Sequence, residues 1–337
     1  MKILYYHSLL QLKYPFAISK FARTSTPVTL VEIHYEGLIG YGEACLVPYL
    51  GENHQSATCF LNQLDLSKFH FPFDFEYISY YLETVAPGNC AIKAAIDIAL
   101  HDLLGKILNK PCYQLLGINP VDMPITSYTI GIDTPEIVRE KAQNCGDFQV
   151  LKVKLGTKYD KTIIQAIREV SQLPLYVDAN EGWKDKNYAL EMIVWLREQG
   201  VVLIEQPMPK DMVDENAWLT EQSPLPTIGD EAVQRIADVG KAEGVYSGIN
   251  VKLMKSTGIY EALEMIKEAR RLQMSVLIGC MSETSCAALA GATLAPLCDW
   301  ADLDGPFLIS NNPFQTPQLL NGKYMLPAEP GLGLVKI

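Results

Sequence analysis

Acidic and basic side chains recur at a regular interval in the second half of this 337-residue chain. Asp178, Glu205 and Asp230 each come at the end of a short apolar run, and they are separated by 27 and 25 residues. Lysines continue the series on both sides, because Lys154 lies 24 residues before the first carboxylate and Lys252 lies 22 residues after the last. An interval of this length is about one strand and one helix, so all five residues are predicted to lie at the same height on neighbouring strands.

The three carboxylates have the composition of a metal site. Held close together they would repel one another, and a cation between them would remove that repulsion. Because the set contains hard oxygen ligands and neither histidine nor cysteine, it favours Mg²⁺ over Zn²⁺. Each carboxylate by itself could be an ordinary helix N-cap. Three carboxylates at matching strand ends make a metal centre of Asp178, Glu205 and Asp230 the stronger interpretation.

Lys154 and Lys252 flank the carboxylates and are predicted to face each other across the site. A single lysine at a strand end is usually solvated, but two lysines that bracket a metal site suggest an acid and a base. The metal and a second lysine, Lys152 beside the first and Lys255 beside the other, are expected to lower the ammonium pKa from about 10.4 towards about 7–8. Histidine is excluded, since all five histidines precede the strands that carry these residues.

These residues must be positioned by a repeat of strand, loop and amphipathic helix that begins near Ile125. Apolar spacing predicts helices between the strands, including Lys161–Val170, Tyr188–Gln199 and Tyr260–Leu272. Strands that alternate with helices predict a parallel sheet, and eight such units predict a TIM-type (β/α) barrel with its site at the carboxyl ends of the strands. The helices after the first and fifth strands are short or weakly patterned. The predicted strands are ITSYTI, VLKVKLG, LYVDAN, VVLIEQP, PTIGDEA, GINVKLM, SVLIGCM and WADLDGP.

The first third of the chain has a different pattern and predicts a separate α+β domain. The segment MKILYYHSLLQLKYPF is interpreted as a first strand, and residues 28–34 (VTLVEIH) alternate like a second one. Gly37, Gly40 and Gly42 are interpreted as turn residues. Residues 90–108 are apolar at helical spacing and predict a long helix.

Composition and charge narrow the class of protein. Hydrophobic residues make up 48% and charged residues 20%, as in globular enzymes, and the net charge of −11 argues against nucleic acid or an anionic membrane as a partner. We recognise neither a membrane-spanning stretch nor a signal peptide. The eight cysteines are scattered without C-x-x-C spacing, so we expect reduced thiols in a cytoplasmic protein.

Taken together, the motifs resemble the muconate-lactonizing subgroup of the enolase superfamily. They are LKVKLG, VDANEGW, IEQP, GDEA and NVKLMKSTG, and the resemblance covers nearly the whole chain. It implies a modified TIM-type barrel with an N-terminal α+β capping domain that the C-terminal tail completes. The expected domains are 1–120 for the cap, 121–309 for the catalytic barrel and 310–337 for the tail.

The resemblance also implies roles for the site residues. The three carboxylates would bind Mg²⁺, whose charge favours loss of the proton next to a substrate carboxylate. Lys154 would serve the L face of the substrate carbon and Lys252 the D face. Lys152 would help to neutralise the substrate carboxylate. One departure from the family is Thr257, because many relatives have glycine before Gly258.

Two further features indicate the substrate. Asp302 and Asp304 form a D-x-D motif at the end of the eighth predicted strand, as in dipeptide epimerases, where it holds the substrate ammonium. Two carboxylates at the rim far from the metal would attract a cation, although a solvated loop is the alternative. Arg23 and Thr24 lie where epimerases of L-Ala-D/L-Glu carry an arginine, which can clamp a carboxylate with two hydrogen bonds. A surface arginine on a loop is the other interpretation of Arg23.

The expected function is therefore dipeptide epimerization of the L-Ala-D/L-Glu type in murein-peptide metabolism, with a small dipeptide as the partner. The α-proton of the C-terminal residue would be exchanged between two lysines. Other enzymes of the subgroup stay open as alternatives, namely o-succinylbenzoate synthase, N-acylamino acid racemase and cycloisomerase. A non-enzymatic binding or structural protein with the same fold is also considered. Assembly into a homo-oligomer is left open.

Overall fold

The structure, a computed structural model, describes residues 1–18, 22–47 and 50–337. Its N-terminal part contains an antiparallel sheet in the order β1-β2-β3. The strands are β1 (Lys2–Ala17), β2 (Ala22–Tyr35) and β3 (Leu38–Cys45), and the helices that follow are α1 (His54–Leu61), α2 (Phe75–Val85), α3 (Cys90–Leu108) and α4 (Cys112–Leu115). Helix α3 is largely buried, packs against β3, and coincides with the helix predicted over residues 90–108.

Glycines allow α3 to pack closely against β3. The interpretation of Gly40 and Gly42 as turn residues is wrong, because both lie inside β3. A Cβ atom at Gly40 would lie 2.1 Å from the carbonyl oxygen of Ala99, and one at Gly42 would lie 1.8 Å from that of Ala95. A side chain is therefore excluded at both positions by the backbone of the helix. Gly37 does lie in a turn, with a φ angle of 82°.

The remainder of the chain forms the predicted barrel. Eight parallel strands make one sheet in which each strand pairs with the next along the chain, and a bridge between Thr126 and Ala301 joins its two edges. Every predicted strand contains an observed one. The strands are β4 (Tyr128–Ile130), β5 (Leu151–Lys154), β6 (Leu175–Asp178), β7 (Val201–Glu205), β8 (Thr227–Gly229), β9 (Gly248–Lys252), β10 (Ser275–Gly279) and β11 (Trp300–Asp302).

One helix follows each of the first seven barrel strands. The helix after the fifth strand is the shortest of them with seven residues, whereas the helix after the first strand has nine, as many as the helix after the second. These helices are α5 (Pro135–Gln143), α6 (Asp160–Arg168), α7 (Lys186–Glu198), α8 (Val213–Gln222), α9 (Ile236–Ala242), α10 (Ile259–Arg271) and α11 (Ser285–Leu294). Among the described residues, no helix is both long and apolar enough to cross a membrane.

After the eighth strand the chain returns to the N-terminal sheet. It forms a short helix and a hairpin, namely α12 (Gly305–Leu308), β12 (Leu319–Leu320) and β13 (Lys323–Tyr324). The ring of Phe314 packs edge-on against Tyr41, and Lys336 Nζ lies 3.0 Å from Glu32 Oε1. We retain the division into residues 1–120, 121–309 and 310–337 as a proposal.

Candidate active site

The three carboxylates lie together at the carboxyl end of the barrel. Asp178 ends β6, Glu205 ends β7 and Asp230 directly follows β8, so parallel pairing brings them to one edge of the sheet. One oxygen atom of each lies within 4.8 Å of the others, and all three side chains are buried. Across the described parts of the chain, this is the one group of three acidic, histidine or cysteine side chains close enough to share a metal. Three oxygen donors at this spacing fit a hard divalent cation.

The pKa values of these carboxylates reflect their crowding. Burial raises the pKa of Glu205 to about 7, and the charges of Asp178 and Asp230 act in the same direction. Burial also opposes ionisation of Asp178 and Asp230, but nearby lysines outweigh it and lower the pKa of both, that of Asp230 well below its ordinary value. A carboxylate with a raised pKa beside two ionised ones is the pattern expected where a bound cation balances the charge.

Two lysines contact opposite ends of this acidic trio. Lys154 Nζ lies 2.5 Å from Asp178 Oδ2, and Lys252 Nζ lies 2.7 Å from Asp230 Oδ2. Lys154 is on β5 and Lys252 is on β9, so the three strands that carry or precede the carboxylates lie between them. Both lysines are buried and line one pocket of about 310 Å³. The structure therefore brings together the five residues that the interval pattern singled out.

Lys152 is held among three carboxylates. Its Nζ atom lies 2.6 Å from Glu205 Oε2, 2.7 Å from Asp302 Oδ2 and 3.4 Å from Asp178 Oδ2. Burial alone would lower the pKa of Lys152, but these three charges outweigh it and raise the pKa well above its ordinary value. These contacts favour the charged form of Lys152 within the site.

Lys255 forms an ion pair with Asp230, one of the predicted metal ligands. It is fully buried, and its Nζ atom lies 2.5 Å from Asp230 Oδ1. The same ammonium donates to the carbonyl oxygens of Asp230, Val233 and Asn250. With all of these acceptors, Lys255 has one fixed position beside the trio.

Both residues of the D-x-D pair line the pocket, and Asp302 lies nearer the trio than expected. Asp302 is not at the far rim, because Lys152 Nζ contacts both Asp302 and Glu205. Closure of the barrel next to its first strand brings the eighth strand this close. Asp304 accepts a hydrogen bond from the backbone N–H of Thr129 at 2.5 Å. Burial and the charge of Asp302 raise the pKa of Asp304 to about 7.

Arg23 reaches the same pocket from the N-terminal sheet. It lies on β2, and its Nη2 atom donates to Ser282 Oγ at 3.0 Å. Thr24, predicted with it as a substrate contact, is exposed and is not among the described residues that line the pocket. Successive side chains of a strand point to opposite faces, so the strand that brings Arg23 inward turns Thr24 outward.

The pocket also contains residues to which the sequence analysis assigned no role, among them Asn180 and Glu231, which follow the strand ends that carry Asp178 and Asp230. Glu231 is half-buried and accepts a hydrogen bond from Asn180 Nδ2 at 3.1 Å, and desolvation and the charge of Asp230 raise its pKa to about 8. The available signal was its place in the GDEA motif, directly after a predicted metal ligand. Residues 280 and 281, which end the predicted strand SVLIGCM, and Ser282, which follows it, also line the pocket.

Known families match both parts of the chain. Residues 1–117 match the family model described as mandelate racemase/muconate lactonizing enzyme, N-terminal domain. Residues 135–335 match the model described as enolase C-terminal domain-like. Residues 118–134, which contain the first barrel strand β4, lie between the two matches. The sheet that carries Arg23 and the part of the barrel that carries the acidic trio are both included.

Named relatives and solved structures match over nearly the full chain. An L-Ala-D/L-Glu epimerase of Bacteroides thetaiotaomicron is 50% identical over 338 residues, which cover 100% of this chain and 88% of the relative. The substrate-liganded L-Ala-D/L-Glu epimerase of Bacillus subtilis has a TM-score of 0.92 at 26% identity and covers 100% and 98% of the two chains. A dipeptide epimerase of Enterococcus faecalis V583, complexed with Mg and L-Leu-L-Tyr, has a TM-score of 0.91 at 31% identity and covers 99% and 98%.

Proposed function

This chain belongs to the mandelate racemase and muconate lactonizing enzyme family of the enolase superfamily, and on that premise we propose that it is a dipeptide epimerase of the L-Ala-D/L-Glu type. The reaction inverts the α-carbon of the C-terminal residue and is an isomerization. The observation that supports it best is the contact of Lys154 and Lys252 with opposite ends of the acidic trio in one pocket. Inversion at carbon requires acid–base groups on two faces, and this arrangement supplies them.

We propose Mg²⁺ as the cofactor of this site, held by Asp178, Glu205 and Asp230. The donor set consists of oxygen atoms only, and it is already crowded enough to raise the pKa of Glu205. When bound, the ion supplies positive charge that stabilises the negative charge developing on the substrate as the α-proton leaves. The Mg in the Enterococcus faecalis dipeptide epimerase supports this choice.

The two lysines carry the proton transfers in this proposal. One lysine must be neutral to accept the α-proton, and the other must be an ammonium to donate a proton to the opposite face. After inversion their protonation states are reversed, and exchange with solvent resets them. By family resemblance, Lys154 acts on the L face and Lys252 on the D face. Lys152, which stays charged, neutralises the substrate carboxylate.

The remaining pocket residues would recognise the ends of the dipeptide. Asp302 and Asp304 would bind the substrate ammonium, and Arg23 would bind the side-chain carboxylate of glutamate. The pocket volume of about 310 Å³ is at the lower end of the range for small-molecule sites, as a dipeptide requires. We further propose a cytoplasmic enzyme that acts on dipeptides derived from murein.

One observation favours a second candidate, a racemase of N-acylated amino acids. Asp302 is paired with Lys152 at 2.7 Å, so part of the negative charge meant for a substrate ammonium is already balanced. An N-acylated substrate carries no ammonium, so it would not need the charge of the D-x-D pair to be available. A solved N-succinyl Arg/Lys racemase from Bacillus cereus also resembles this chain, with a TM-score of 0.90 at 29% identity.

Deuterium incorporation separates the two candidates. The protein is incubated in D₂O with Mg²⁺ and either L-Ala-L-Glu or its N-acetyl form, and mass spectrometry measures deuterium at the α-carbon. Chiral chromatography measures inversion in the same samples. Inversion of the free dipeptide supports the proposal. Turnover of the acylated compound alone would replace it with N-acylamino acid racemization, and no exchange with any substrate would favour a binding protein.

A further inference from the structure

We propose that Glu43 and Ser282 are positioning residues that set the side-chain specificity of this site. Glu43 anchors the loop after β10, and Ser282 on that loop orients Arg23 towards the acidic side chain of the substrate. The inference rests on the proposed function, because it concerns which dipeptide the same site prefers. Neither residue is assigned contact with the reacting carbon.

The loop of residues 280–284 lies between two parts of the pocket. Residues 280–282 line the pocket, and Ser282 is 3% exposed. On one side, Ser282 Oγ accepts the hydrogen bond from Arg23 at 3.0 Å. On the other side, the loop packs on Gly305, where a Cβ atom would lie 2.8 Å from two of its backbone atoms. A shift of this loop would therefore move both the partner of Arg23 and the segment that follows the D-x-D pair.

Glu43 ties the end of this loop to the N-terminal sheet. It lies on β3 and is fully buried, and its Oε1 atom accepts from Thr284 N at 2.9 Å. Its Oε2 atom accepts from Thr284 Oγ1 at 2.5 Å and from Ala287 N at 3.1 Å. These donors belong to the N-terminus of α11, where a carboxylate is favoured because N–H groups lack helical partners. The loop is therefore held at the point where it becomes a helix.

A second contact joins the same strand to the same loop. Cys45 Sγ donates to the carbonyl oxygen of Ser282 at 3.6 Å. Glu43 and Cys45 are two residues apart on β3, so both side chains leave the same face of the strand. Strand β3 pairs with β2, which carries Arg23. One sheet thus supplies both the arginine and the groups that fix the arginine's hydrogen-bond partner.

The consequence for specificity follows from the shape of the guanidinium group. Its N–H donors form a rigid planar fork, so one hydrogen bond determines where the others point. Removal of the Ser282 hydroxyl would leave the charge of Arg23 in place and take away one of the contacts that orient the guanidinium, beside its contact with the Phe16 ring at 5.6 Å. The affected quantity is the preference for an acidic over an apolar side chain, measured as the ratio of kcat/KM for L-Ala-L-Glu to that for L-Ala-L-Met.

Variants of Ser282 test the orienting hydrogen bond. Ser282→Ala should lower the kcat/KM ratio about three- to tenfold, mainly through KM for L-Ala-L-Glu, as expected for one hydrogen bond. Ser282→Thr keeps a hydroxyl and should restore most of the ratio. In an Arg23→Met background, Ser282→Ala should change the ratio no further, because no guanidinium is left to orient. Ser285→Ala is the matched control, since this neighbouring hydroxyl accepts from Asn312 Nδ2 at 2.7 Å instead.

Variants of two buried glutamates test the anchor. Glu52 accepts from Ala91 N at 2.9 Å and Ile92 N at 3.3 Å, so it caps helix α3 much as Glu43 caps α11. Both Glu43→Gln and Glu52→Gln should lower the melting temperature, because each weakens bonds to buried N–H groups. Only Glu43→Gln should also lower the kcat/KM ratio, since only this glutamate holds the loop that carries Ser282.

The outcomes distinguish this inference from the proposed function. If the wild-type protein inverts no dipeptide, the proposed function fails. If wild type prefers L-Ala-L-Glu and Arg23→Met erases the preference, but Ser282→Ala leaves it unchanged, the role of Ser282 is refuted while the epimerase stands. If Glu43→Gln and Glu52→Gln change the ratio equally, general destabilisation explains the result and the role of Glu43 is refuted. A wild type without preference for L-Ala-L-Glu also overturns the inference.

Discussion

Replacement of Lys252 by alanine should abolish epimerization and leave proton exchange at one face of the substrate carbon. Inversion needs one group to remove the α-proton and another to deliver a proton from the opposite side. Lys154 remains in the variant and can remove and return a proton on its own face. One stereoisomer should therefore exchange its α-proton with deuterium from D₂O without conversion into the other.

The structure indicates that Asp230 would keep a cationic partner in this variant, so the loss of epimerization would report on chemistry. Lys252 Nζ lies 2.7 Å from Asp230 Oδ2, but Lys255 Nζ lies 2.5 Å from the other oxygen of Asp230 and stays in the variant. The predicted metal ligand therefore keeps a cationic partner. A positioned acid or base contributes about 10²–10⁴-fold to a rate. Because inversion requires both lysines, we expect epimerization to fall by about 10³-fold or more.

The assay uses L-Ala-L-Glu and L-Ala-D-Glu separately in D₂O with Mg²⁺. Chiral chromatography measures inversion, and mass spectrometry measures deuterium at the α-carbon. Lys154→Ala should show the opposite pattern, with exchange of the other stereoisomer only. Lys141→Ala is the matched control, because it also removes a buried lysine paired with a carboxylate, Asp133 at 3.1 Å, outside this pocket. It should retain both inversion and exchange.

Two results would refute the reasoning about the lysines. Epimerization by Lys252→Ala at a rate near that of wild type would show that a second lysine is not required. Exchange of the same stereoisomer by Lys252→Ala and Lys154→Ala would show that the two lysines do not act on different faces. The Lys141→Ala control separates both results from a general effect of removing a buried cation.

Chelation of the metal should abolish activity, and Mg²⁺ should restore it; full activity in chelator would exclude the metal. Glu205→Gln should cost several kcal/mol of transition-state stabilisation, measured as a fall in kcat/KM. Acetylation of the substrate amine should weaken binding strongly, because the D-x-D carboxylates would lose the substrate ammonium and keep only Lys152 as a cationic partner. Equal turnover of the acetylated dipeptide would contradict this. Arg23→Met should erase a preference of about ten- to a hundredfold for L-Ala-L-Glu over L-Ala-L-Met, since a charge-assisted hydrogen bond contributes about 1.5–3 kcal/mol. An unchanged ratio of the two kcat/KM values would show that Arg23 does not bind the glutamate side chain. Gly258→Ala should lower the free energy of unfolding in urea by about 2 kcal/mol or more. The reason is that Gly258 has a φ angle of 119° and that a Cβ atom there would lie 2.3 Å from Asp97 Oδ1. An unchanged midpoint of urea unfolding would show that the turn relaxes.

The order of the elements and the row of site residues were predictable from the sequence alone. Buried parallel strands are short apolar runs, and each βα unit returns the chain to the same height after a nearly constant number of residues. Lys154, Asp178, Glu205, Asp230 and Lys252 therefore came together as their spacing predicted, since neighbouring parallel strands share one carboxyl edge. The long helix over residues 90–108 was equally predictable from the sequence, because its apolar spacing is a local property.

Only the tertiary structure decided which residues from distant parts of the chain meet. Gly40 lies in a strand, where a side chain is excluded because a helix packs on it. A sequence pattern shows the glycine without showing what approaches it. Asp302 lies against Lys152 because the barrel closes, and Arg23 meets Ser282 across 259 residues because the N-terminal sheet docks on the barrel mouth. Local periodicity reports whether a side chain faces the interior. The partner that it meets there depends on how separate elements dock, which no single segment encodes.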